Sequence, residues 1–260
     1  MLIALASTAV VFTALAFAVV ESPGWVEFHH AFLNGHRFTS DFPGVAQAFL
    51  LNVKMFCIAE PIILVLALLL AVVRGLPGPV FAPLRVLAII YADFFRGVPT
   101  ILVILMLGFG MPALGLSWMP TSEAFWGTVS LILVYTAYVS EVYRAGIESV
   151  HPSQEAAARS LGLSRVKALR FVIVPQAVRR VIPPLLNDFI GLQKDTALVS
   201  VLGAVEVLQQ AQIDESATFN FTAYVAAAVL FVAITIPLTR FTDHLVARER
   251  ARRQASLSLA

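Results

Sequence analysis

Long apolar runs separated by short polar segments dominate this chain. A helix that crosses a hydrocarbon core of about 30 Å needs roughly 20 apolar residues, and lipid offers no partner to an open backbone group, so each such run is predicted to be helical. Six runs approach this length. They cover about residues 1–20, 46–73, 86–110, 124–142, 181–204 and 221–240. The pattern therefore predicts an all-α integral membrane protein with about six transmembrane helices.

The composition supports this prediction. Hydrophobic residues make up 59% of the 260 positions and charged residues 13%, whereas a soluble domain has about 45–50% apolar and about 25% charged residues. Cys57 is the single cysteine, which excludes an intramolecular disulfide and a cysteine-based metal site. No residue pattern indicates a cofactor, a metal site, a catalytic group or a nucleic-acid partner, so we expect no enzymatic activity from the isolated chain.

The basic residues are unevenly distributed between the loops. Fifteen of the 18 lysines and arginines lie in the segments 74–96, 144–180 and 240–253. The opposite loops hold Arg37 together with seven acidic residues. Because loops on the cytoplasmic side carry an excess of Lys and Arg, both termini and the central polar insert are expected to be cytoplasmic.

The chain divides into three predicted parts. Residues 1–45 form an N-terminal transmembrane helix and an external connector rich in Gly and Pro, residues 46–245 form the transmembrane domain, and residues 246–260 form a basic cytoplasmic tail. The first run also ends in small residues that resemble a signal-peptide cleavage site, but no Lys or Arg precedes it. We therefore expect a retained helix.

A polar, basic insert at residues 143–175 interrupts the apolar pattern. Ser153 is predicted to cap a short helix that carries Glu155 in its first turn, and Gly162 suits a left-handed residue that ends this helix. Ser164 is predicted to cap a second short helix through about Phe171, with Pro175 marking the entry to the next span. From the residues alone, the insert is either a docking surface for another protein or a solvated basic loop.

The insert resembles the coupling loop of ATP-binding cassette (ABC) importer permeases. In that family a Glu-Ala-Ala triplet is followed by three residues, Gly, nine residues, Ile, one residue and Leu-Pro, and the spacing from Gly162 to Val172 and to Val174-Pro175 fits. Aligned on Gly162, the triplet falls on Ala156–Ala158, and Glu155 lies one position early. Further segments resemble permeases of the polar amino-acid uptake family. They are Phe95–Pro99, Glu141–Ile147, Pro175–Ala177 and Lys194–Thr196.

The resemblance implies a fold and a set of partners. It implies a five-helix permease core, preceded here by an extra N-terminal helix, with a coupling loop at about residues 148–172. It also implies a bacterial inner-membrane protein that imports amino acids or similar small polar solutes with two copies of an ABC ATPase, a second permease subunit and an extracytoplasmic solute-binding protein. The chain has no GxxxxGK[ST] phosphate loop of its own. The residues expected to couple to the ATPase are Ser153, Glu155, Ala156, Ala157, Ala158, Arg159, Gly162 and Leu163.

The fifth apolar run carries polar residues at helical spacing. Asn187, Asp188, Gly191, Lys194 and Asp195 share one predicted helical face, and charges at membrane depth pair or line a watery cavity because contact with lipid is costly. This face is predicted to line the translocation path or gate, with a permease–permease interface and a purely structural network as alternatives. Pro183 and Pro184 are expected to break or bend the start of this helix.

Three other charged groups have alternative interpretations. Glu60 either pairs with Lys54 across a kink at Pro61 or faces a cavity. Arg96 either extends to lipid headgroups or belongs to the permease core. Glu141 and Arg144, three positions apart, are predicted to pair on one helix.

Two different functions compete with the importer hypothesis. An ion-gradient-driven secondary transporter would use Asp188, Lys194 and Asp195 as a relay. A membrane scaffold would use the insert to recruit a cytosolic protein without any transport. Neither alternative accounts for the family-like segments occurring in register.

Overall fold

The computed structural model describes residues 2–257, with side chains for residues 5–164 and 166–248. The ends of two predicted parts, residue 1 of the first run and residues 258–260 of the tail, lie outside the described residues. Within this range the chain forms helices and no strands. The α-helices are α1 (Leu2–Val20), α2 (Trp25–Phe32), α3 (Gly35–Arg74), α4 (Ala82–Gly97), α5 (Thr100–Ala113), α6 (Glu123–Glu148), α7 (Pro152–Ser160), α8 (Arg165–Ala168), α9 (Val174–Asp195), α10 (Val207–Thr218) and α11 (Thr222–Leu257).

The membrane-spanning elements are less uniform than six straight helices. Among the described residues, three helices are long and apolar enough to cross a membrane: the α2–α3 segment, α6 and α11. Two bent pairs, α4 with α5 and α9 with α10, raise the number to five if each pair is one span. The side chains of residues 5–20 in α1 are exposed, so this shorter apolar helix stands apart from the packed bundle.

The predicted span 86–110 is broken rather than straight. Helices α4 and α5 meet at an angle of 104°. The break falls at Val98, whose backbone is extended (φ −95°, ψ 130°). Pro99 follows it, and a residue that precedes proline is pushed out of the helical conformation because it clashes with the proline ring.

The predicted connector at residues 21–45 is mostly helical. Asn34 caps α3 by accepting a hydrogen bond from the backbone N–H of Arg37 at 3.1 Å, and the helix continues through Pro43 and Gly44. Apolar residues at the start of α3 pack against α10 and α11, including the buried Val45. Burial of this face therefore outweighs the low helix propensity of Gly and Pro.

Helix α6 lies at the centre of the bundle, where glycines allow close packing. A Cβ atom on Gly127 would lie 2.3 Å from a Val199 methyl carbon, and one on Gly146 would lie 2.0 Å from a Val181 methyl carbon. Helices in a membrane pack closely where small residues face each other. These two glycines therefore set the distance between α6 and the segments that follow the polar insert.

The sequence predicted that Pro183 and Pro184 would break or bend the start of this span, but helix α9 does not break there. A π-helical turn at Leu169–Ile173 joins α8 to α9, and the helix runs without interruption to Asp195. Pro183 and Pro184 lie inside it. Membrane helices tolerate proline because neighbouring helices satisfy the backbone groups that proline leaves free. The chain then tightens into a 3₁₀ helix, Thr196–Leu202, that ends at the left-handed Gly203 (φ 88°).

Candidate functional site

The short helix α7 begins two positions earlier than its sequence predicts, because its cap is His151 and not Ser153. The His151 side chain accepts a hydrogen bond from the backbone N–H of Ser153 at 3.2 Å, and Pro152 occupies the first helical position. Proline suits that position because it has no N–H to leave unsatisfied. Ser153 therefore lies inside the first turn, and its predicted role as the cap is wrong, whereas Glu155 lies in the first turn as predicted.

The predicted end of α7 at Gly162 is confirmed. Gly162 adopts a left-handed conformation (φ 85°). Its N–H donates to the Arg159 carbonyl at 3.0 Å, and the Leu163 N–H donates to the Ala158 carbonyl at 3.2 Å. This pair of hydrogen bonds is the Schellman motif, which satisfies the last carbonyls of a helix, so the end of α7 has a single defined geometry.

Helix α7 is attached to the bundle by a small buried apolar residue and by a hydrogen bond that the Gln176 side chain of α9 donates to Gln154 at 3.4 Å. Ala158 is buried, while Ala156, Ala157 and Arg159 on the same helix are exposed. Below it, Val150, Ile173 and Ala177 form a compact cluster at the start of α9. The loop is thus a firmly seated element that presents most of its surface outward.

The residues after α7 add an apolar surface that the sequence reasoning missed. Leu161, Val166 and Phe171 are exposed by 84%, 75% and 63%. The Ser164 hydroxyl accepts from the Lys167 N–H at 3.4 Å, which confirms the predicted second cap. The available signal was the occurrence of large apolar residues in an otherwise polar insert, since an exposed apolar patch marks an interaction site.

The end of the bundle that carries α7 is called the loop end, and the opposite end the far end. At the loop end Glu141 gathers three arginines, here named the Glu141 cluster with its partners Arg74, Arg96 and Arg144. The predicted pair with Arg144 is confirmed at 2.7 Å, Arg74 of α3 donates to the other carboxylate oxygen, and Arg96 of α4 lies 3.6 Å from it. Arg96 thus approaches Glu141 while its side chain stays 41% exposed, which is compatible with both of its interpretations.

A second link joins α9 to the end of α6. The Arg180 guanidinium donates to the backbone carbonyl of Ser149 and to its hydroxyl, the latter at 3.0 Å. Between α4, α6 and α9 lies a cavity of about 440 Å³, here called the loop pocket. Its polar lining consists of Arg96, Glu141, Ser149 and Arg180. The loop end is thus held by charge-assisted hydrogen bonds around an open space.

The predicted polar face of α9 is split by its packing. Asp188, Gly191 and Asp195 are half-buried, whereas Asn187 and Lys194 are exposed on the single chain. Asp195 accepts a hydrogen bond from the Tyr135 hydroxyl of α6 at 2.9 Å. One buried oxygen of Asp188 has no hydrogen-bond partner among the described residues. The face therefore borders the space beside α6 and continues onto the outer surface of the chain.

Glu60 does not form the ion pair with Lys54 that was one of its two predicted roles. Among the described residues Glu60 forms no ion pair with Lys54, which is exposed. Instead the Glu60 carboxyl group lies within electrostatic range of Asp188, and α3 continues as a helix through Pro61. Two carboxyl groups from α3 and α9 are thus close enough to interact electrostatically.

A buried polar network at the far end was missed by the sequence reasoning. Glu206 is fully buried and caps α10 by accepting from the N–H groups of Leu208 and Gln209, each at 2.9 Å. Asn52 of α3 donates to Glu206 at 2.7 Å and accepts from the Val207 N–H at 3.1 Å. The apolar runs around both residues gave no sign of their contact, because 154 positions separate them.

The described residues bring together no group of three His, Cys, Asp or Glu side chains that could hold a metal ion. Helix α9 presents charged and hydrogen-bonding side chains, and the loop end presents exposed polar and apolar side chains.

Comparisons with known proteins agree with this architecture. The chain is 36% identical over 170 residues to the probable glutamine ABC transporter permease protein GlnM of Bacillus subtilis (strain 168), covering 65% of this chain and 77% of that protein. It is 30% identical over 208 residues to the arginine transport system permease protein ArtQ of the same organism, covering 80% of this chain and 92% of that protein.

Solved structures share the fold. The chain in the crystal structure of an amino acid ABC transporter with histidines superposes with a TM-score of 0.74 at 30% identity, over 84% of this chain and 98% of that chain. An inward-facing MetNI methionine ABC transporter superposes with a TM-score of 0.62 at 18% identity, over 79% and 95%. Residues 63–251 match the family described as binding-protein-dependent transport system inner membrane component. The chain belongs to this family and is the permease subunit of an ATP-driven importer whose ATPase is a separate subunit.

Proposed function

We propose that the chain imports amino acids or similar small polar solutes into the cytoplasm, as one of two permease subunits assembled with two copies of the ATPase. An extracytoplasmic binding protein delivers the solute at the far end, and both termini and the loop end are cytoplasmic. The names of the relatives, which include glutamine and arginine permeases, support the solute class. The distribution of basic residues supports the orientation.

The observation that carries the proposal is the construction of α7. A nine-residue helix with a side-chain cap at one end and a Schellman motif at the other is rigid. Its Ala158 is buried, its Gln154 accepts a hydrogen bond from Gln176 of α9, and its Ala157 and Ser160 are exposed. This helix and the apolar residues Leu161, Val166 and Phe171 form the surface on which the ATPase docks.

Movement of this surface reaches the spanning helices through named contacts. Arg180 ties α9 to Ser149, directly before α7, and Arg144 bridges Glu148 and Glu141 at 2.6 and 2.7 Å. Glu141 in turn contacts Arg74 of α3 and Arg96 of α4. A displacement of α7 driven by the ATPase is therefore transmitted to α3, α4, α6 and α9 together.

The polar face of α9 lines the translocation path. Glu60 and Asp188 provide carboxyl groups that attract the ammonium group of an amino acid. Lys194, exposed on the single chain, provides a cation for its carboxylate, and Asn187, Gly191 and Asp195 extend the same face. Charged groups inside a membrane segment mark the pathway of a solute because they are costly anywhere else.

Cysteine crosslinking tests the docking surface. In a background where Cys57 is replaced by Ala, Ala157→Cys and Ser160→Cys are expected to crosslink to the ATPase, because both positions are exposed on α7. Val80→Cys is the matched control, since Val80 is 82% exposed in the short 3₁₀ helix between α3 and α4, outside the predicted coupling loop. Import without any crosslink at positions 157 and 160, or equal crosslinking at position 80, contradicts the proposal.

Uptake into vesicles tests the path. Asp188→Asn is expected to lower uptake of labelled amino acids at least tenfold while crosslinking through Ala157→Cys continues. Asp93→Asn, at an exposed position of α4, removes the same charge elsewhere and should transport normally. Unchanged uptake by the Asp188 variant would remove this face from the path.

A further inference from the structure

The loop pocket carries an excess of positive charge. The four arginines at or beside it are Arg74, Arg96, Arg144 and Arg180, and the carboxylates that they contact are Glu141 and Glu148. The group therefore has a net charge of +2. Such an imbalance in a recess is costly unless an anion from outside the described chain balances it, since like charges close together repel one another.

Two of these arginines have unused hydrogen-bond donors at the pocket. Arg96 lies 3.6 Å from Glu141, beyond hydrogen-bonding distance, and its side chain donates no hydrogen bond among the described contacts. Arg180 uses one terminal nitrogen on Ser149, which leaves its other donors available. Both side chains line the pocket. A guanidinium group presents a planar fork of donors that matches a carboxylate or a phosphate.

The Glu141 carboxylate does not repel an anion from the loop pocket. This carboxylate is 14% exposed and receives hydrogen bonds from Arg74 and Arg144, so its charge is already balanced by two close cations. The volume of about 440 Å³ lies within the range of about 300–1,000 Å³ that small-molecule sites occupy. The pocket is thus both large enough and electrostatically suited for a small oxyanion.

We propose that the loop pocket is a binding site for an oxyanion, a carboxylate or phosphate group, held by Arg96 and Arg180. Its cytoplasmic location rests on the proposed orientation of the chain. Bound there, the oxyanion contacts α4 and α9 at once, and so it bridges two elements that the Glu141 cluster and the Ser149 link otherwise hold separately. A free anion and the phosphate of a lipid headgroup share this chemistry.

Binding is tested on the full chain in nanodiscs of uncharged phosphatidylcholine, without the ATPase, which has a phosphate site of its own. Inorganic phosphate, and separately acetate, is titrated against chloride at constant ionic strength. A ligand that binds the folded state stabilises it, so we expect the unfolding midpoint to rise by about 2–4 °C near saturation. A parallel sample in nanodiscs with phosphatidylglycerol identifies a lipid headgroup as the source if the lipid raises the midpoint and added phosphate then has no further effect.

Matched variants locate the effect. Arg96→Gln and Arg180→Gln should each abolish the rise, and Arg180→Lys, which keeps the charge but loses the fork, should reduce it. Arg179→Gln removes the same charge from the neighbouring, exposed position of α9 and should leave the rise intact. If Arg96→Gln does not fold, the Arg180 variants decide the result.

Two outcomes overturn the proposal. The first is an unfolding midpoint that does not rise with phosphate, acetate or phosphatidylglycerol. The second is a rise that Arg179→Gln and Arg180→Gln abolish equally. The second outcome would indicate a general effect of surface charge. The measurement requires no transport, so its failure leaves the importer function standing, and a failure of uptake leaves the binding result standing.

Discussion

The two ends of the bundle are held together by different physical means. At the far end, Glu206 and Asn52 are almost fully buried, and Val199 fills a notch at Gly127 that leaves no room for a Cβ atom. At the loop end, close packing at Gly146 is accompanied by the Glu141 cluster, which includes arginines exposed by 38% and 41%. Buried hydrogen bonds and tight packing resist deformation, whereas ion pairs of partly exposed arginines such as Arg96 and Arg144 rearrange at smaller cost.

This difference fits the proposed mechanism. The loop end carries α7 and must change its arrangement when the ATPase moves, so contacts of modest strength serve it well. The far end ties α3, the 3₁₀ segment and α10 into one unit through Asn52 and Glu206. We therefore expect far-end substitutions to act mainly on stability, and loop-end substitutions to act mainly on transport.

The largest expected loss of stability follows from Glu206→Ala. This change removes the cap of α10, which costs about 0.5–2 kcal/mol, and leaves the buried Asn52 amide without its acceptor, which costs about 1–3 kcal/mol of unfolding free energy. Glu206→Gln is the control, because its side-chain carbonyl still caps the helix. Unfolding of the purified protein in mild detergent measures both, and similar stability of the alanine variant and the parent would show that the far end is not held by this network.

A smaller loss is expected from Gly127→Ala. The new methyl group would overlap Val199 at 2.3 Å, and overpacking of this kind costs about 1–3 kcal/mol. Adding Val199→Ala should restore part of the loss. Gly110→Ala is the control, because no described atom lies within 4 Å of the position that its Cβ would occupy. This substitution should be neutral or stabilising. An equal loss at both glycines would reflect backbone effects and not the notch.

At the loop end, Glu141→Gln should affect transport more than stability. It removes the carboxylate shared by Arg74, Arg96 and Arg144, at a cost of about 1–2 kcal/mol, because these pairs are only partly buried. We expect uptake to fall at least tenfold while ATP hydrolysis by the assembled transporter continues, since α7 can still dock. Glu141→Asp should recover part of the uptake. Parallel losses of uptake and hydrolysis would argue against a role in transmission.

The smallest effect is expected from Glu148→Gln. Glu148 is 61% exposed and pairs with Arg144 at 2.6 Å, and exposed pairs four residues apart contribute about 0.3–0.5 kcal/mol. The difference between this variant and the parent should vanish in about 1 M salt, where charges are screened beyond about 3 Å. A salt-independent difference would show that Glu148 acts through packing.

Local rules predicted much of the loop. Glu155 in the first turn, the left-handed Gly162 and the cap at Ser164 were all predicted from neighbouring residues, because caps and turns depend on a few adjacent positions. His151 was missed as the first cap because serine is the commoner capping residue. The family-like segments were recognised for the same reason, since they are contiguous in the chain.

The apolar pattern by itself determined that this protein is a helical membrane protein, and the polar insert predicted where its partner docks. Only the tertiary structure decided how the helices are broken and paired. It gathered Arg74, Arg96 and Glu141 from three helices, placed Glu60 near Asp188, and buried Glu206 against Asn52. Hydrophobic periodicity reports which face of a helix is apolar, but not which distant helix it meets. That choice depends on packing across the whole chain, in which a glycine or a buried carboxylate acts through residues far away in sequence.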